Sequence, residues 1–188
     1  VSIAVNLSLL GTFKYFDFFA ANFQALVGNF GLTVQPYFLD VVLPIGISFY
    51  SFQTLSYAID VYRGDREPER HLGKFAVFVA FFPQLVAGPI ERAKRLLPQF
   101  SEHHRWDTER VKEGVQRILW GFFKKLVVAD QAGLYVDAVF ADPAEHGTVT
   151  LVLGTWLFAF QVYCDFSGYS DIAIGSARIM GFRLMENF

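Results

Sequence analysis

Apolar residues run through this chain in long blocks almost free of charge, separated by short charged stretches. Helices buried in hydrocarbon leave that pattern. The clearest block, residues 41–59, holds no charged side chain and approaches the roughly 20 residues that a spanning helix needs. Pro44 and Gly46 stand near its start, which membrane helices tolerate. Residues 1–10 read as the end of an earlier span, and the aromatic stretch 16–30 as an interfacial helix or turn. Residues 75–90 are apolar but short, and Pro83, Gly88 and Pro89 interrupt them. That stretch predicts a broken, re-entrant segment. Arg63, Arg66, Arg70 and Lys74 precede it, and Arg92, Lys94 and Arg95 follow. Basic loops prefer the cytoplasm, and a re-entrant segment keeps both clusters there.

Further along, Asp107 is a suitable N-cap for a helix starting near Thr108. Val111, Val115, Ile118, Leu119, Phe122, Phe123 and Leu126 recur at helical spacing, with Arg110, Lys112, Glu113, Gln116 and Arg117 on the other face. An i, i+4 pair between Glu113 and Arg117 is expected. This amphipathic helix lies in the cytoplasmic interface or packs on the bundle. From 126 to 177 there is no Lys or Arg, while Asp130, Asp137, Asp142 and Glu145 fall there, with a turn at Pro143 and Gly147. The stretch reads as an acidic outer loop. Residues 148–164 are uncharged and predict a span whose helix continues through Asp165 to Phe182. The fold class is therefore all-α: a polytopic transmembrane bundle with a broken segment and an amphipathic cytoplasmic helix. The chain reads as one integral-membrane domain, residues 1–188, with both flanks missing and no signal-peptide pattern ahead of Val1.

Composition sharpens this picture. The chain of 188 residues is 53% hydrophobic, 18% charged and 18% aromatic, with 22 Phe. Soluble domains carry about 25% charge. Mean hydropathy is only +0.33, so polar loops are interspersed. A net charge of -2 excludes nucleic acid as a partner. Cys164 stands alone and allows no internal disulfide; in its apolar run it is a small packed hydrophobe.

Chemistry concentrates in two places. Asp165 and Asp171 follow the apolar run, and a carboxylate at membrane depth faces a polar cavity or a partner. On a helix Ser167 and Asp171 share a face, as do Asp165 and Tyr169. These groups either bond helices together or line a substrate path. Ser170, Ala173, Ala177 and Gly181 form a stripe of small residues that admits a neighbouring helix. In the broken segment, Gln84 can line a cavity. Arg92 either holds an anionic group at its mouth or snorkels to phosphates. His71, His103, His104 and His146 all lie in polar loops. His103 and Asp107 make an H-x-x-x-D pattern without the usual following glycine, and it reads as chance. No third ligand joins His103 and His104, so no metal site is expected. An ion transporter using Asp165 and Asp171, or a scaffold without catalysis, remains an alternative on these residues alone.

Four stretches carry a more specific signal: LPIGISFYSFQTLSYAIDVYR (43–63), FFPQLVAGPI (81–90), GFFKKLVVAD (121–130) and FQVYCDFSGYSDIAIG (160–175). In this order they resemble the membrane-bound O-acyltransferase family, on the branch of the bacterial alginate O-acetyltransferases. D-alanyl transfer proteins of teichoic acid are more distant. The likeness runs from about residue 41 to 188. It implies many membrane helices around a funnel in a bacterial inner membrane. It also implies transfer of an acetyl group, from acetyl-CoA or another activated carrier with no bound cofactor, to an extracytoplasmic sugar hydroxyl such as that of alginate. Extracytoplasmic partner proteins would carry the group to the polysaccharide. The family's catalytic histidine is expected beyond Phe188, after the MENF stretch (185–188). No histidine here inherits its role, and this chain by itself is expected to be inactive. Gln84, Arg92, Asp165, Ser167, Tyr169 and Asp171 are then candidates for funnel lining or support.

Overall fold

The computed structural model describes residues 2–31, 44, 46–85 and 88–188. They form helices and turns with no strand among them, and they divide into two compact units, residues 1–80 and 81–188.

In the first unit, α1 (Ser2–Leu10) passes through a π-helical turn (Gly11–Tyr15) into α2 (Phe16–Gly28). The expected span end and interfacial helix are therefore one continuous helical run. Of the span expected at 41–59, the described part is helical as α3 (Ile47–Tyr62), but its 16 residues fall short of the roughly 20 that a spanning helix needs; residues 41–43 and 45 lie outside the described residues. α1 and the π-helical turn after it meet α3 through polar pairs: the Thr54 hydroxyl donates to Asn6 Oδ1 at 2.6 Å and Lys14 Nζ to Ser48 Oγ at 2.9 Å. α4 (Leu72–Val79) is only 8 residues, about 12 Å long, and cannot cross about 30 Å of hydrocarbon. Its start is capped by His71, whose ring accepts from the Lys74 amide at 3.2 Å. The buried Gln53 amide donates to the Phe78 carbonyl at 2.9 Å, near the helix end. Tyr57 lies against Phe75, with ring centroids 4.9 Å apart.

The second unit opens with a 3-10 turn (Phe82–Gln84), so the interruption expected in 75–90 is present. α5 (Ala93–Leu96) and another 3-10 turn (Leu97–Ser101) lead to α6 (Thr108–Phe122). Asp107 caps α6 as predicted, accepting from the Glu109 and Arg110 amides at 3.0 and 3.2 Å. The helix does not stop at an outer loop. It continues through a π-helical segment (Phe123–Ala129) into α7 (Asp130–Ala141). Asp130 and Asp137 are thus helical, and only a tight turn around Pro143–Glu145 separates this helix from α8 (Thr148–Met180).

α8 has 33 residues, about 50 Å, and is the one helix among the described residues long and apolar enough to cross a membrane. Val149, Trp156 and Phe160 on its first half are exposed, whereas Ser167, Ser170, Asp171, Ala173 and Ala177 are buried. It runs antiparallel to α6, because Gly114 faces Gly175 and Gly121 faces Gly168. At these points the two backbones touch. A Cβ on Gly121 would stand 2.6 Å from the Gly168 carbonyl oxygen, and one on Gly175 would stand 2.6 Å from that of Gly114. Paired small residues give apolar helices such an approach. The stripe expected to receive a helix, Ser170, Ala173, Ala177 and Gly181, lies on the opposite side of α8. It is filled by non-helical chain instead: a Cβ on Gly88 would stand 3.1 Å from that of Ala173, and Gly181 abuts His104.

Because backbone atoms are the obstacle, Gly121→Ala or Gly168→Ala forces the helices apart. A loss of about 1–3 kcal/mol is expected from overpacking, read as a lower unfolding temperature in detergent. Gly28→Ala, at a helical glycine with open space around its would-be Cβ, is the control expected to stay close to native.

Candidate functional site

Where α6 and α8 touch, adjacent charges are forced into register. Ser167 and Asp171, one turn apart on α8, both bind Lys124 Nζ, at 2.7 and 2.6 Å. The other Asp171 oxygen accepts from Arg117 Nε at 2.9 Å. Arg117 then turns its remaining nitrogens onto Glu186, with one bond of 2.6 Å and a second, closer one. The adjacent Lys125 pairs with Asp165 at 2.6 Å and Asp130 at 2.7 Å, and lies 5.4 Å from the Tyr169 ring centroid. Two successive lysines reach the same neighbour because they stand in the π-helical segment, whose i→i+5 turns narrow the angle between successive side chains. The side chains of Asp171 and Lys124 are only 11% and 18% exposed.

The same network holds the last residues. Gly181, left-handed at φ 98°, ends α8, a conformation that glycine adopts without steric cost. Residues 182–188 then double back along the helix, and each is tied down. Phe182 packs among Phe81, Phe100 and His104, its ring centroid 4.5–5.1 Å from theirs. The Arg183 amide donates to Gln99 Oε1 at 2.8 Å, and its carbonyl accepts from Gln99 Nε2 at 3.0 Å. Leu184 O accepts from Arg95, and Met185 N donates to Glu91. Glu186 takes the Arg117 fork, while Asn187 donates to Ser170 Oγ at 3.2 Å. The Phe188 ring rests on Tyr163 and Phe166, 5.7 and 5.9 Å away. The two carboxylates of the clamp titrate in opposite senses. The Arg117 fork holds Glu186 below its ordinary value. Burial pushes Glu91 up, and one of its oxygens has no partner.

Of the six residues picked from the sequence, Ser167 and Asp171 meet on Lys124, and Asp165 and Tyr169 meet on Lys125. Gln84 and Arg92 do not join this cluster. Gln84 is buried, and neither end of its amide is bonded among the described residues. Arg92 is exposed and precedes α5, and its side chain has no ion pair among the described residues. The expected Glu113–Arg117 pair does not form: Glu113 binds Arg178, while Arg117 is drawn to Asp171 and Glu186. Lys124, Lys125, Arg117, Glu186 and Glu91 escaped sequence reasoning. The available signal was the pair of lysines inside the apolar run 121–129, which at membrane depth demand acidic partners. Among the described residues no group of acidic, His or Cys side chains can hold a metal ion. His71 and His104 have structural duties, the latter with its Nε2 2.9 Å from the Gln99 carbonyl.

Glu91→Gln tests the clamp. A carboxyl with a raised folded-state value is favourable to folding below its unfolded value, here 4.5, and that benefit is lost as pH rises through the folded value. Glutamine mimics the protonated form. The variant is therefore expected to melt higher than native at neutral pH, with the difference vanishing below about pH 4.5. Melting curves across pH check this.

No family model matches the chain. Over its full length it is 46% identical to the probable alginate O-acetylase AlgI of Pseudomonas putida and 44% identical to that of Azotobacter vinelandii. It is 31% identical, again over its full length, to the peptidoglycan O-acetyltransferase of Helicobacter pylori. The likeness thus extends ahead of residue 41, where the motifs begin. The chain spans 37–40% of the length of these three relatives. Its sequence likeness and its exposed apolar α8 together give it a membrane location. The chain belongs to the membrane-bound O-acyltransferase family, beside the alginate O-acetylases.

Proposed function

We propose that the full-length protein O-acetylates an exopolysaccharide such as alginate, passing the acetyl group from the cytoplasmic side of a bacterial inner membrane to an extracytoplasmic sugar hydroxyl. The observation that carries this reading is the identity of 44–46% to alginate O-acetylases along the whole of this chain, which spans 37–38% of their length. The donor is acetyl-CoA or another activated acetyl carrier, and extracytoplasmic partners take the group onward. The remaining relative length supplies further membrane helices, making the protein multi-pass.

Within this reading the chain's own residues position rather than react. Acyl transfer to a hydroxyl needs a base within hydrogen-bond reach of the acceptor, held in a water-poor site. The base is proposed to lie beyond residues 185–188, as the family resemblance implies. The clamp from Lys124 through Asp171 and Arg117 to Glu186 fixes the direction in which that part of the protein departs. A displacement of about 1 Å in such a site can cost about a hundredfold in rate, so a rigid departure point matters. Asp165 and Asp171 are each neutralised by a lysine, which supports positioning over ion transport. Gln84, buried with an unbonded amide, is proposed to face the acyl path.

The test is polymer acetylation in cells making the full-length protein, native against Asp171→Asn, Asp165→Asn and Gln84→Leu, with membrane protein levels measured alongside. Asp171→Asn is expected to lower acetyl ester at least tenfold at undiminished protein level, and Asp165→Asn less, because Asp165 is more exposed. Full acetylation in every variant would remove these residues from the reaction. A native protein that never acetylates polymer would overturn the proposed function.

A further inference from the structure

The loop leading into α6 borders a second polar feature, which shares Arg95, Gln99 and Arg183 with the ties that hold the tail but leaves most of its guanidinium donors unused. A cavity of about 770 Å³ is lined by four arginines, Arg95, Arg105, Arg110 and Arg183, against two carboxylates, Glu102 and Asp107. Asp107 is engaged in capping α6, so it neither answers the arginines fully nor leaves the helix end open. Arg95 commits one nitrogen to Leu184 O at 3.4 Å, and Arg110 one to Arg105 O at 2.7 Å. Arg110 Nε is buried without a partner among the described residues. The guanidinium groups of Arg105 and Arg183 make no ion pair or hydrogen bond among the described residues. Each guanidinium carries five N–H donors and no acceptor. The cavity wall therefore holds a large surplus of donors and positive charge.

A ligand that answers such a wall is rich in acceptors, carries more than one negative charge, and suits planar forked donors. Phosphate and diphosphate groups have these properties. We propose that this cavity binds the phosphate groups of a phosphorylated ligand. Trp106 lines the same cavity and is 76% exposed, offering a flat face on which a nucleobase attached to those phosphates can stack. The phosphates can come from a soluble nucleotide or from an anionic lipid headgroup. Their recognition by the arginines is the same in both cases and does not depend on the acyl-transfer reading.

The experiment is calorimetric titration of full-length protein in phosphatidylcholine nanodiscs with inorganic pyrophosphate and, separately, with coenzyme A. Saturable binding of pyrophosphate is expected, weakened by salt and weakened about tenfold in the double variant Arg105→Gln, Arg183→Gln. The lysine pair at the same positions is expected to recover part of the affinity. Neither side chain holds the fold together, so the melting temperature should stay near native. If it falls, the single variant Arg105→Gln gives the same reading. Tighter binding of coenzyme A than pyrophosphate, lost in Trp106→Ala, identifies a nucleotide. Competition by phosphatidylglycerol added to the nanodiscs, seen in native protein and absent from the double variant, identifies a lipid headgroup. Absence of binding by both probes overturns the proposal, as does equal pyrophosphate affinity in native and glutamine variants.

Discussion

The contact of bare backbone between α6 and α8 at Gly114, Gly121, Gly168 and Gly175 is the constraint on which the second unit depends. With any side chain between them, the helices would stand further apart, and short polar groups could not bridge the gap. Ser167 and Asp171 have short reaches. They meet Lys124 because the backbones touch next to them at Gly121 and Gly168. Close packing and charge pairing are therefore one event, with the glycines setting the distance and the carboxylates setting the register.

Buried charge is tolerable only when it is answered, and here the answers are shared. Asp171 is held by two cations on separate oxygens, and Arg117 serves two carboxylates. Such sharing orders four side chains from three stretches of chain with few groups left over. It also explains why Arg117 abandons Glu113, its neighbour one turn away on the same helix. A solvent-exposed i, i+4 pair is worth only about 0.3–0.5 kcal/mol, less than a bidentate fork closed around Glu186 beside a buried aspartate.

Much of this architecture was legible in the sequence. The uncharged run at 148–164 declared α8, Asp107 declared the start of α6, and the prolines at 83 and 89 declared the break in 75–90. The spacing of Ser167 with Asp171 and of Asp165 with Tyr169 grouped them correctly. What the spacing could not supply was the partner. A π-helical segment leaves no periodicity that distinguishes it from ordinary helix, so nothing in the spacing singled out the two lysines at 124 and 125 as the core of the site. For the same reason the acidic stretch around Asp130 read as a loop. The glycines at 114 and 121 were hidden inside an amphipathic pattern, whereas the more obvious stripe from Ser170 to Gly181 turned out to receive non-helical chain at Gly88, at His104 and, through Asn187, at the returning tail. A stripe of small residues says that something comes close; it does not say whether that is a helix or an extended strand of chain.

The returning tail shows why the distinction matters. A helix packed on that stripe would satisfy its own backbone and need only shape. An extended segment brings unpaired amides and carbonyls, each of which needs a partner when buried. Gln99, Arg95 and Glu91 supply them residue by residue, and Glu91 accepts the penalty of burial to do so. Burial opposes the charge of Glu91 while the Met185 amide and Arg95 favour it, so the tail is tied down at a carboxylate whose surroundings pull both ways. Residues 182–188 are thus held by directional bonds to their backbone as well as by the packing of Phe182 and Phe188.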